Sequence, residues 1–337
     1  MRLNLCFRGV VLGALVAASC SPAPTATRQP VLTVYQSSAS IGDPHIVSDA
    51  LARRSIIYSV YEALVRLDEL GNYQPALAER WEVGEDARSW TFHLRDGVTF
   101  HNGEVLSAFD VVATLGRVLD PSIGGAFGTQ GVYISYLGTA EISAPDDMTV
   151  RIVTVDPMAD LLDLVVDMPI SPASELHRLP EAYVGSGPYE IIEQSGTRLV
   201  IAAHDDYWGE TPDYDEIHWV AEGDSEKRVD ALLDGRADIA AGIGIQGRDR
   251  IAEDGTALTH EANSGLAIIF MANSLEGAGS DRRVRQALNY ALNVDGIIEE
   301  IKHGAAQPLS GYLTPNHFGY TPETPPYPYD PDRARSL

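Results

Sequence analysis

Apolar and polar positions along this chain fall into short blocks of two periods. Residues 31–35 form a β-rich run, and residues 50–67 follow with Ile56, Val60, Leu64 and Leu67 at helical spacing. The pattern predicts a strand and then one helix over that whole stretch. Residues 91–94 alternate, Asp96-Gly97 supplies a turn, a second short strand runs through Phe100, and Asn102-Gly103 turns the chain again. Ser107 and Asp110 have the spacing of a capping box, and Val111, Val112, Leu115, Val118 and Leu119 share one side of the helix that begins there.

The second half continues in the same mixed manner. Residues 148–153 and 189–193 read as strands, and Ser195-Gly196 joins the latter to 198–203 as a hairpin. A strand at 216–220, a helix over 225–234 ended by Gly235, and a strand at 237–241 come next. Residues 266–271 are continuously apolar, the pattern of a buried strand, and 281–292 carries Val284, Leu288 and Leu292 on one helical face. Asp330 and Pro331 open a final helix that reaches Leu337 after barely two turns, so the sequence reads as cut off inside a helix. Helices and strands interleave throughout and no internal repeat is present, which places the chain in the α/β class.

With 337 residues, 45% hydrophobic and 21% charged, the chain is long enough for two domains with their own cores. A net charge of -24 argues against a nucleic-acid partner, because a phosphate backbone would be repelled. Arg supplies nearly all the positive charge, Lys227 and Lys302 being the lysines, which reflects base composition rather than chemistry.

The N-terminus has the layout of an export signal. Arg2 and Arg8 flank a short basic region, residues 10–18 are apolar, and small residues lead into Cys20, giving a signal peptide over 1–19. The apolar run is too short to span a bilayer as a stable helix. Ala17-Ala18-Ser19-Cys20 resembles a bacterial lipobox, with Ala17 where Leu is usual. That resemblance implies a lipid on Cys20, which also explains a lone thiol in an oxidising compartment once Cys6 has left with the signal. Residues 20–30 then read as a flexible tether. The expected location is outside the cytoplasmic membrane, in the periplasm or at the cell surface, anchored through Cys20.

Five stretches carry a family resemblance. Pro75-Ala76-Leu77-Ala78-Glu79-Arg80-Trp81 leads into the run from Trp90 through Asp96-Gly97 to Asn102-Gly103, continued by 107–112; Gly185-Ser186-Gly187-Pro188-Tyr189, Tyr207-Trp208-Gly209, 228–239 and the run from Asp281 to Ala291 follow in order. Together they resemble the family-five extracellular solute-binding proteins, the peptide and nickel binding components of ABC importers. The resemblance implies a two-lobed clamp of the periplasmic-binding-protein-like class II α/β fold with its second lobe incomplete. Lobe one would take 31–262 as two α/β subdomains, about 31–55 with 180–262, and 56–179. Lobe two would begin at 263, after a strand near Glu261. Trp81, Phe92, Leu94 and Phe100 read as core, and Gly187-Pro188 as a turn.

Ligands of open α/β sheets lie beyond the carboxyl ends of strands. By the family's layout those positions are Ser48 and Asp49, then Ala241, Gly242 and Ile243, then Ser264, Gly265 and Leu266. Backbone groups there would serve an extended peptide. The implied function is capture of oligopeptides or a related small solute for a membrane permease, by a monomer without cofactor, metal or catalytic residue; it is not an enzyme.

Two enzymatic readings compete. Gly242-Ile243-Gly244-Ile245-Gln246-Gly247 fits the dinucleotide fingerprint and has Glu261 downstream, but 248–253 is too short for a crossover helix before Asp254-Gly255. A secreted hydrolase would need a motif such as His-Glu-x-x-His or Gly-x-Ser-x-Gly, and neither occurs. His93, His101, His204, His218 and His260 are scattered singly, so each reads as structural or surface rather than as a metal ligand.

Overall fold

The computed structural model describes residues 29–46, 51–123, 129–262, 267–315, 320–321 and 323–337. The signal segment, Cys20, Ser48, Asp49, Ser264, Gly265 and Leu266 lie outside the described residues. In chain order the first half holds β1 (Gln29–Gln36), α1 (Leu51–Val60), β2 (Val65–Leu67), β3 (Tyr73–Pro75), β4 (Ala78–Val83), β5 (Ser89–Leu94), α2 (Ala108–Leu119), α3 (Thr129–Leu137), β6 (Glu141–Asp146), β7 (Thr149–Val153) and α4 (Leu161–Val165). The second half holds β8 (Tyr189–Gln194), β9 (Arg198–Ala203), β10 (Tyr214–Ala221), α5 (Ser225–Leu233), β11 (Ile239–Ala240), α6 (Gly244–Asp254), α7 (Arg282–Ala291), α8 (Val294–Glu300) and α9 (Pro331–Ser336). The strands form a five-stranded sheet in the order β11-β1-β10-β9-β8, a β2-β3 hairpin, and a four-stranded sheet in the order β4-β5-β7-β6.

The chain divides into two compact units. The first comprises Ser40–Ser195, Leu199–His218 and the described residues up to Leu32; the second comprises Thr33–Ala39, Gly196–Arg198 and Trp219–Leu337.

The first unit's main core follows from strict alternation. Trp90, Phe92 and Leu94 point inward from β5, and Val150 and Ile152 from β7, in register Trp90↔Ile152 and Phe92↔Val150. Helix α2 covers them with Val111, Leu115 and Val118, and Phe100, Leu106 and Leu161 fill the remaining space. Asp110 fixes where α2 begins. Its carboxylate accepts the Ser107 N–H at 2.9 Å, the Ser107 hydroxyl at 2.7 Å and the Ala173 N–H at 2.8 Å. Asp110→Ala strands those three donors at a buried helix start, and a loss of about 2 kcal/mol is expected, read from the urea midpoint.

The single helix expected over 50–67 is two elements. Helix α1 stops at Val60, whose carbonyl accepts the Gly187 N–H at 2.9 Å, and Val65 pairs with Pro75 in the β2-β3 hairpin. A tertiary partner for the last carbonyl and a strand partner for Val65 override a helical spacing that Leu64 and Leu67 meet by coincidence. The short strand expected through Phe100 reduces to one bridge between Thr99 and Val105. Strand β11 is shorter than the 237–241 expected, although Asp238 N–H to Thr33 O and Ala241 N–H to Tyr35 O, both 2.9 Å, continue the parallel pairing with β1 on either side.

In the second unit, Val34, Trp219, Val229, Ala237 and Ile251 are buried. Helix α6 packs on α5, where a Cβ at Gly247 would meet Val229 Cγ2 at 2.7 Å, and Arg250 bridges Glu226 and Asp230, both at 2.7 Å. Helix α9 is stapled to α7 by the Asp330 N–H on Tyr290 O at 2.8 Å and by Tyr327 edge-on to Tyr290 at 5.0 Å.

The buried strand expected at 266–271 is not formed among the described residues. Residues 267–271 carry no strand, and Ile268, Phe270 and Met271 are 67%, 84% and 89% exposed. An apolar run is buried as a strand only where a neighbour pairs it and a layer covers it, and among the described residues neither is present. Leu288 on α7 is likewise exposed, while Val284 and Leu292 on the same face are half-buried. Among the described residues no strand forms near Glu261, which is exposed and paired with Arg248 at 2.9 Å.

Candidate ligand-binding site

Ala241, Gly242 and Ile243 form the link between β11 and α6. These are the expected contact residues that the described structure brings together. The link turns sharply, with Gly242 at φ +66° and Gly244 at φ +67°, a conformation that a side chain would strain. It borders an open concavity of about 2610 Å³ within the second unit, edged by Leu258, Ile268, Phe270, Met271 and Leu288, which are themselves largely exposed, with Lys302 among its charged residues.

The link is held from behind by Arg228, a residue of α5 that is 5% exposed. Its Nε donates to the Ala241 carbonyl at 2.9 Å, Nη2 to the Gly242 carbonyl at 2.7 Å and Nη1 to the Glu222 carbonyl at 2.5 Å. Three carbonyl dipoles thus surround the buried guanidinium, each bond charge-assisted. Sequence reasoning placed Arg228 only at the head of a motif. An arginine between Lys227 and Val229 in a polar helix reads as solvated, and its burial depends on the return of β11 beside β1.

The Gly-Ser-Gly and Tyr-Trp-Gly stretches build a different node, inside the first unit. The Glu62 carboxylate accepts the Trp208 indole N–H at 2.7 Å, the Ser186 hydroxyl at 3.0 Å and the Tyr207 hydroxyl at 3.1 Å. Burial pushes the Glu62 carboxyl above the usual carboxylate range, and the Trp208, Ser186 and Tyr207 hydrogen bonds pull against that shift. Arg95 lies over the Trp208 ring at 4.2 Å. These residues tie loops to the end of α1, the structural role expected of the motifs.

Two histidines of the first unit, His45 buried and His101 half-buried, are neutral. The Gly185 N–H donates to His101 Nδ1 at 3.3 Å, so Nε2 carries the proton and donates to Gly187 O at 3.0 Å. Arg117 Nη1 donates to His45 Nδ1 at 2.9 Å, and His45 Nε2 donates to Pro169 O at 2.8 Å. Burial is the main cause that lowers both imidazoles to about 4. Among the described residues no group of three or more His, Cys, Asp or Glu is arranged to hold a metal, and no helix is long and apolar enough to cross a membrane.

The dinucleotide reading needs one correction and still fails. Helix α6 runs 11 residues, longer than the sequence suggested, because it begins at Gly244 inside the fingerprint. Yet β11 is the edge of its sheet, so no further parallel strand follows α6 to complete a βαβ unit among the described residues.

A strand-end link beside a concavity is where open α/β sheets take small ligands. The model described as bacterial extracellular solute-binding proteins, family 5 middle, matches residues 72–337, and the chain belongs to that family. It is 28% identical to heme-binding protein A of Haemophilus influenzae, over 96% of this chain and 66% of that protein. It is 26% identical to the dipeptide-binding protein of Escherichia coli, over 100% of this chain and 68% of that protein. Among solved structures it is similar to the ABC transporter-associated periplasmic binding protein DppA from Helicobacter pylori in complex with peptide STSA, with TM-score 0.76 and 23% identity over 92% of this chain and 65% of that one. That likeness gives the fold, the α/β periplasmic-binding-protein fold the sequence motifs implied. The chain spans about two thirds of the length of these relatives. Membership of a family defined by solute binding agrees with the expectation that the chain is not an enzyme.

Proposed function

We propose that the protein captures a peptide or related small solute outside the cytoplasmic membrane and delivers it to the permease of an ABC importer. The family match over 72–337 carries this reading. The relative named a dipeptide-binding protein and the fold shared with a peptide complex support peptides as the first class to try.

In this reading lobe one takes residues 31–262 and lobe two begins at 263. Ser48, Asp49, Ala241, Gly242, Ile243, Ser264, Gly265 and Leu266 contact the solute. Closure of a hinge on the bound solute produces the form that docks on the permease. The protein acts as a monomer, held to the membrane by lipid on Cys20, and uses no cofactor or metal.

The test is thermal-shift and calorimetric titration with alanine peptides of two to five residues. A ligand at about 100 times its dissociation constant raises stability by about 2.7 kcal/mol, a readily measured shift. Hydrolysis of the peptides in place of reversible binding sinks the proposal, as does the absence of any saturable binding.

A further inference from the structure

The link at 241–243 has a feature that the proposed capture of a solute does not itself require. A strand end beside a binding concavity ordinarily offers both carbonyl and N–H groups to a ligand. Here both carbonyls of the turn, those of Ala241 and Gly242, point back onto the Arg228 guanidinium at 2.9 and 2.7 Å. The third guanidinium nitrogen is anchored on Glu222 O at 2.5 Å, so the side chain is gripped from two directions and cannot swing away without abandoning all three bonds. The grip also explains the backbone. Gly242 makes the turn between the two carbonyls at φ +66°, and a Cβ there would sit 3.6 Å from Arg228 Nη2, an ordinary contact distance.

We infer that Arg228 is the positioning residue of this strand-end link, and that it commits the link to donating hydrogen bonds, so the part of the solute lying there is an anionic acceptor, a carboxylate. This rests on the proposed solute capture at Ala241, Gly242 and Ile243. The argument is one of subtraction. With the Ala241 N–H spent on Tyr35 O at 2.9 Å, and the Ala241 and Gly242 carbonyls held by a cation, the backbone groups left to the link are the N–H groups of Gly242 and Ile243 and the carbonyl of Ile243. The Ile243 carbonyl faces the helix as its N-cap residue's carbonyl does, since Ile243 is the N-cap of α6. An arginine that touches no solute thereby sets which chemistry the solute must present.

The test compares trialanine with trialanine amide on the full chain, wild type against Arg228→Met and Arg228→Lys, by calorimetry, with circular dichroism as the check on folding. Wild type is expected to favour the free acid. Arg228→Met is expected to weaken free-acid binding at least tenfold and to bring the acid-to-amide ratio toward one, and Arg228→Lys to recover part of that ratio. A merely structural role would weaken both peptides equally and leave the ratio unchanged. Should Arg228→Met not fold, Gly242→Ala disturbs the same turn from the other side, and the same loss of ratio is expected. Unchanged affinities in a folded variant, or a parallel loss for acid and amide, overturns the role of Arg228 while leaving solute capture intact. A wild-type protein that binds neither peptide, nor any of the alanine series, overturns solute capture itself.

Discussion

Gly185→Ala is expected to cost about 3 kcal/mol or more and to lower the urea midpoint sharply. A Cβ at Gly185 would overlap the Val60 carbonyl oxygen and stand 2.9 Å from Tyr61 Cδ1. Neither neighbour can yield cheaply, because Val60 and Tyr61 are fully buried and the Val60 carbonyl already accepts the Gly187 N–H. Gly185 itself is clamped, its carbonyl accepting the His101 N–H at 2.9 Å. Relief by a backbone shift would therefore break the cap on α1 and the bonds to His101 together. Gly116→Ala is the matched control. It lies exposed within α2 with nothing within 4 Å of the new Cβ, so the same chemical change should stabilise by about 1 kcal/mol. Equal effects of the two substitutions would show that backbone contact at Gly185 is not what its glycine provides.

Acidification from pH 7 to pH 4 is expected to remove several kcal/mol of stability through His45 and His101. Each has an ordinary value of 6.5 when unfolded and about 4 when folded, because burial disfavours the imidazolium. For His45 the neighbouring Arg117 guanidinium adds to the depression, while the Pro169 hydrogen bond and Asp43 oppose it. For His101 the Gly187 hydrogen bond opposes it and His204 adds to it. The unfolded chain therefore binds more protons between pH 6.5 and 4, and stability falls as pH falls through that window. Each group contributes about 3 kcal/mol at full effect. Glu62 acts in the opposite sense, since a raised carboxyl stabilises the fold when protonated and loses that contribution as pH rises. Urea titrations at half-unit steps of pH measure the balance. His101→Gln should flatten the slope, and a wild-type midpoint that stays level from pH 7 to 5 would contradict neutral burial of both rings.

The parts of the fold legible in the sequence are those whose determinants are local. The alternation in β5 and β7, the Ser195-Gly196 hairpin and the start of α2 at Ser107 all depend on neighbours a few residues away, and all appear where expected. The end of α1 depends on Gly187, far along the chain, and no local pattern marks it. The apolar stretch at 266–271 reads as buried because sequence reports hydrophobicity and not whether a cover exists. At the site, the Ala241–Gly242–Ile243 link was legible through its glycines and the strand before it. The Arg228 grip was not, because a carbonyl cage has no sequence signature: any residue can supply a carbonyl, so nothing in the side chains around Arg228 announces it.

The bare run at 268–271 also governs how the molecule behaves at a bench. Four large greasy side chains in water form an adhesive strip, and such a strip sticks to resin, to dye and to other strips. Dilute samples and mild detergent suit such a surface, and crowding it invites clumps.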